Sequence, residues 1–126
     1  MVMNLARWLV VLGCIVALAT AALHGSGYKG VTGAIHAVDA KPFLVAAVSA
    51  LWLMFSAHLV ILALVAALAA WTPGAGRIVA LVALLPAVDT VLLARFVGAF
   101  IGTFLVAAVA VLFFAGGLLL ARRNGA

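Results

Sequence analysis

A chain of 126 residues that is 71% hydrophobic and only 7% charged lacks the polar surface of a soluble domain, because soluble domains carry about 25% charged residues. A mean hydropathy of +1.49 points the same way and makes the bilayer its solvent. The net charge of +5 comes from basic residues spread singly among apolar runs; they read as the flanking charges of membrane spans, which argues against nucleic acid as a partner.

The first apolar run, about Asn4–His24, follows no acidic residue and carries Arg7 near its start. Arg7, the run from Trp8 to Leu23 and the small residues Ala19-Thr20-Ala21 also fit a secretory signal, but the run is long for a signal core and predicts a retained helix. Val11-Leu12-Gly13-Cys14 loosely matches a lipoprotein cleavage box, yet the apolar run continues past the cysteine. As the chain's one cysteine, Cys14 excludes an internal disulfide and is expected to pack as a small apolar residue.

The segment from residue 25 to 41 is the most polar part of the chain and predicts a loop. It holds Tyr28, Lys29, His36, Asp39 and Lys41, with His24 at its edge. Gly25, Gly27 and Gly30 spell a dinucleotide-binding glycine pattern, but no strand precedes them and no βαβ unit can surround them. These glycines are expected to let the loop fold back over the helix ends, with a short interfacial helix over Val31–Val38.

Three further runs, about 42–70, 78–96 and 101–121, each reach the roughly 20 residues that a spanning helix needs. Continuous Ala- and Leu-rich runs exclude a barrel, whose strands alternate. The second run is longer than a bilayer requires, so it tilts or projects, with Trp71 at an interface. After it, Thr72-Pro73-Gly74-Ala75-Gly76 forces the second and third spans to be antiparallel neighbours. The turn before the fourth span must be tight or sunken, and Gly98 and Gly102 there have the spacing either of a close helix contact or of turn flexibility. The predicted fold is therefore an all-α integral membrane protein, a four-transmembrane-helix up-down bundle in one domain. Pairing Arg7 with Arg77 sets Thr20 over Thr90, a two-residue echo between parallel spans that composition alone can generate.

An even number of spans puts both termini on one side. That side carries Arg7, Arg77, Arg122 and Arg123 against Lys29, Lys41 and Arg95 opposite, which favours cytoplasmic termini in a prokaryotic inner membrane.

Asp89 is the main candidate site, because a carboxylate inside a span costs roughly 2.5–3.5 kcal/mol at a helix centre and so demands shielding. Pro86, one turn earlier, removes a helical donor from the Val82 carbonyl and predicts a kink. Arg95 is six residues on, off Asp89's face in a regular helix, so His24 or a loop lysine is the expected partner. Thr20, Ser49, Trp52 and Thr103 add polar groups in the outer half, and Ser49, Trp52 and Ser56 form one stripe on the second span. The hydroxyls can equally bond their own helices. His58 falls opposite that stripe, where it can bond a carbonyl, meet a partner subunit or ligate haem. His24, His36, Asp39 and Asp89 offer metal-ligand or proton-relay chemistry, but their spacing matches no metal motif, and no metal or cofactor is assigned.

The expected function is a small membrane protein with an extracytoplasmic polar pocket built around Asp89, His24 and the glycine loop. It binds a polar head group or small ligand, or serves as an accessory subunit. The alternatives are a proton-coupled transporter using Asp89 and a membrane enzyme with a His/Asp acid–base pair acting on a lipophilic substrate. Membrane lipid, a second copy of the chain and a larger membrane complex are the partners such lipid-facing helices suit.

Overall fold

The computed structural model describes residues 4–123, the side chain of Arg123 excepted. Those residues form six helices and no strand: α1 (Leu5–Ser26), α2 (Tyr28–Ala37), α3 (Pro42–Trp71), α4 (Gly76–Val82), α5 (Leu84–Phe96) and α6 (Ile101–Arg123). They make four spans apolar enough to cross a membrane, because α1 runs into α2 and α4 into α5. This is the predicted all-α four-helix membrane bundle.

Local chemistry sets the helix ends. The Asn4 side chain accepts a hydrogen bond from the Arg7 N–H at 3.0 Å and starts α1. Pro42 opens α3 at a position where its missing N–H costs nothing. Gly74 and Gly98 hold φ of +80° and +106°, which lets the chain turn sharply after α3 and α5. The regular helix is interrupted at Ala83, three residues before Pro86, and this divides the third span into α4 and α5.

The glycine-rich segment expected as a loop is largely helix. Only Gly27 separates α1 from α2, and α2 lies along the start of α3, so the helix foreseen over Val31–Val38 begins earlier, at Tyr28. Rather than folding back over the helix ends, the segment prolongs α1. Asp39, at φ +50°, turns the chain back toward α3.

In the bundle, α1 packs on α3 and α6, α4 packs on α6 and α3, and α5 packs on α6 with a short contact to α4. The core is made chiefly of alanine and valine around Phe113, and it fills the end of the bundle that carries Leu5, Trp71 and Leu120. Small residues allow that closeness. A Cβ on Gly76 would strike the backbone of Ala121, one on Gly117 the backbone of Ala80, and one on Gly116 the Val10 side chain at 2.7 Å. Close approach is thus the work of these glycines. Gly98 serves the turn with open space beside it, and Gly102 faces the nearby Phe100 ring.

At the same end Arg7 reaches from α1 to the C-terminus of α3. Its Nε donates to the Ala70 carbonyl at 3.2 Å, and its guanidinium lies 5.9 Å from the Trp71 ring centre. A cation there complements the partial negative charge of the α3 terminus.

The opposite end is open. Buried residues in α3 begin only at Leu59, and α5 buries only Pro86. The core closes one end of the bundle and leaves the α3/α5 seam unfilled at the other.

Candidate functional site

The Asp89 carboxylate meets His58. Oδ2 of Asp89 lies 3.3 Å from Nε2 of His58, bridging α5 and α3. Both atoms are sealed from solvent, and among the described residues neither is aligned in a hydrogen bond. The contact is therefore a close approach of imidazole and carboxylate across the seam. The two side chains as wholes remain 31% and 17% exposed, so each keeps an edge toward the membrane or the opening. Register explains the meeting. His58 is thirteen residues before Trp71 and Asp89 thirteen after Gly76, so an antiparallel pair joined by a short turn brings them level.

The partner expected for Asp89, His24 or a loop lysine, is thus replaced by His58. His58 itself was expected to bond a carbonyl, meet a partner subunit or ligate haem. On α3, Trp52 and Ser56 meet His24 of α1 while His58 meets Asp89 of α5, so the helix presents a different face to each neighbour.

His24 belongs to a second cluster, toward the α2 end. Its Nδ1 lies 3.0 Å from the Ser56 hydroxyl, and its carbonyl accepts from the Trp52 indole N–H at 2.7 Å. The imidazole stacks on Trp52 with ring centres 4.0 Å apart and lies 4.8 Å from Phe55. Gly27 permits this packing, since its Cβ position is 3.1 Å from the Trp52 ring. Phe55 then stands 6.0 Å from His58. One aromatic file, Trp52, His24, Phe55 and His58, leads to Asp89.

Beside that file lies a cavity of about 390 Å³ between α1, α3, α5 and α6. Trp52, Phe55, Leu93, Phe100 and Val106 supply its apolar walls, and His24 and Thr20 its polar side chains. Phe55 and Leu93 are one helical turn from His58 and Asp89, so that contact sits just beyond the cavity. The polar pocket expected around Asp89 and the glycine loop is instead an apolar cavity that Asp89, Tyr28 and the loop do not line. Asp89 turns toward His58 across the seam.

The remaining predicted groups are dispersed. Thr20 is 3% exposed and its hydroxyl donates to the Val16 carbonyl at 2.7 Å, while Ser49 donates to Val45 at 2.7 Å. Thr103 donates to Gly98 at 2.8 Å. All three hydroxyls are spent on nearby backbone. Arg95 is exposed with its guanidinium 5.6 Å from the Phe96 ring, apart from Asp89 as the six-residue spacing implies. His36 and Asp39 are exposed around the α2–α3 turn and Tyr28 is half-buried at the start of α2. His24, His36, Asp39 and Asp89 do not gather; among the described residues no group of three metal-ligating side chains forms. Cys14 donates to the Ala63 carbonyl at 3.3 Å and packs against the core.

Phe55, Leu93 and Phe100 carry no signal of a site in the sequence. They are ordinary apolar residues of a span, and only the open seam gives them a cavity to line. Compared with protein-family profiles, with curated proteins and with solved structures, the chain matches none.

Proposed function

We propose that this chain is a membrane protein that receives an amphipathic small molecule in the cavity between α1, α3, α5 and α6. The apolar body of the ligand would lie on Trp52, Phe55, Phe100 and Val106, with its polar end at His24. The observation that carries this reading is the lining: an aromatic-rich wall with one imidazole, at the end of the bundle the core leaves unfilled. Ser56 holds Nδ1 of His24 and fixes the ring, which leaves Nε2 for the ligand. With cytoplasmic termini, as the basic residues favour, the cavity lies in the extracytoplasmic half.

The test uses Trp52 as sole tryptophan, in a Trp8→Phe/Trp71→Phe background in lipid nanodiscs, titrated with N-phenyl-1-naphthylamine. Saturable energy transfer from Trp52 is expected, weakened by Leu93→Phe, which narrows the cavity. Equal, non-saturating transfer in both proteins would mean the probe merely partitions into lipid, and would defeat the reading.

Proton-coupled transport is a second reading, favoured by the His58–Asp89 contact one turn from the cavity. An imidazole and a carboxylate share one proton without net charge, whichever of them holds it. Gaining or losing a proton charges the pair inside the membrane, so ligand and proton occupancy would be linked. In pyranine-loaded proteoliposomes, adding the same probe should move protons with the wild type and not with Asp89→Asn. Identical traces would remove this reading and leave the binding one standing.

A further inference from the structure

Where α4 and α6 meet backbone to backbone at Gly76 and Gly117, a separate groove of about 320 Å³ opens beside the contact. Arg77 lines it at one end, and Ala80, Leu81, Leu84, Phe114 and Leu118 line the rest. Arg77 and Leu84 are two turns apart on one side, so the groove follows the helix axes for about 10 Å. It has a cationic mouth and an apolar length. Arg122 is exposed one residue beyond Ala121, which also lines the groove.

The chain has two acidic residues in all, and both are elsewhere. Asp39 is at the α2–α3 turn, at the other end of the bundle, and Asp89 is engaged with His58. No side-chain carboxylate is therefore placed to neutralise Arg77 or Arg122. A chain end of this charge, set over an apolar groove, complements a molecule with an anionic head and a hydrocarbon tail.

We propose that this groove binds an anionic phospholipid, its phosphate on Arg77 and Arg122 and one acyl chain along Leu81, Leu84, Phe114 and Leu118. The site is independent of the cavity at the other end. Guanidinium suits it because its planar set of N–H donors matches phosphate oxygens.

The experiment is native mass spectrometry of the full chain from micelles doped equally with phosphatidylglycerol and phosphatidylcholine. Phosphatidylglycerol adducts should predominate. Arg77→Gln should cut them about fivefold, as should Arg122→Gln, and Arg77→Lys should restore most of the loss. Leu118→Trp fills the groove without changing charge and should remove the adducts. Both arginines are exposed, so their replacement leaves the core intact. Equal retention of the two lipids, or phosphatidylglycerol adducts that survive Arg77→Gln and Leu118→Trp alike, would overturn the proposal. So would a dimer without lipid that Leu118→Trp dissociates, because the groove would then belong to a second copy of the chain.

Discussion

Removing either partner of the His58–Asp89 contact should have unequal effects, and the inequality follows from which variant leaves a carboxylate in the seam. In His58→Leu the carboxylate stays in the seam with its Oδ2 sealed from water and its partner gone. Asp89 is about 10 Å from the Phe96 end of its helix, short of the membrane centre. The cost should therefore fall below the central value for an aspartate, at about 2 kcal/mol. In Asp89→Leu, by contrast, the seam keeps an imidazole and holds no carboxylate. What is lost is the pair's coupling, about 0.6 kcal/mol on average for intramembrane polar pairs, and the relieved burial of the acid offsets it. Asp89→Leu should match or exceed the wild type, and the double variant should recover what His58→Leu loses, since apolar replacement of a whole buried pair is often neutral or stabilising. Reversible unfolding in mixed micelles titrated with dodecyl sulfate, followed by tryptophan fluorescence, would rank the four proteins. If Asp89→Leu is as damaging as His58→Leu, or if His58→Leu is harmless, the pair does not carry the charge as argued.

Gly117→Leu should be far more disruptive than its volume suggests, because the new side chain meets the Ala80 backbone. A loss of about 3 kcal/mol or failure to accumulate in membranes is expected, against overpacking costs of 1–3 where side chains can yield; thermal unfolding of the purified protein checks it. Arg7→Ala removes the hydrogen bond to the Ala70 carbonyl and the cation at the α3 terminus, and should lower stability by about 1 kcal/mol in the same assay. For orientation, Ser26→Cys in a Cys14→Ala background should react with an impermeant thiol reagent outside intact cells. Reaction only after lysis would invert the assignment.

The spans were legible because hydropathy alone decides them: an Ala- and Leu-rich run of bilayer length has no other stable home. Asp89 was legible for the same reason, as the one acid within a span. Its partner was not. A helical wheel assigns one face of α3 to the bundle axis, whereas a corner helix presents different faces to two neighbours, and His58 occupies the face the wheel set aside. Equal distance from the Thr72–Ala75 turn was the signal available, and it needed only the antiparallel pairing the turn already implied. The cavity was beyond reach, because it depends on how far α5 stands from α3, and that distance is set by packing on α6. The glycine-rich segment misled in the other direction. Glycine weakens a helix by about 1 kcal/mol relative to alanine, but α2 buries no residue and continues α1 through Gly27, so propagation from a helix already formed outweighs the local preference.

The two helical hairpins differ in length, and the excess of the longer one must go somewhere. The α1–α2 run extends for about 50 Å and α3 for about 45 Å, whereas α4–α5 and α6 reach only about 31 and 35 Å. A hydrocarbon layer of about 30 Å fits the short pair and leaves the long pair overhanging. Most of the α1–α2 overhang is the polar helix α2, which belongs among head groups and water rather than in the hydrocarbon. The helix α3 is apolar through most of its length, so its excess is taken up by tilt or projection. The His58–Asp89 contact joins this longer hairpin to the shorter one across the α3/α5 seam.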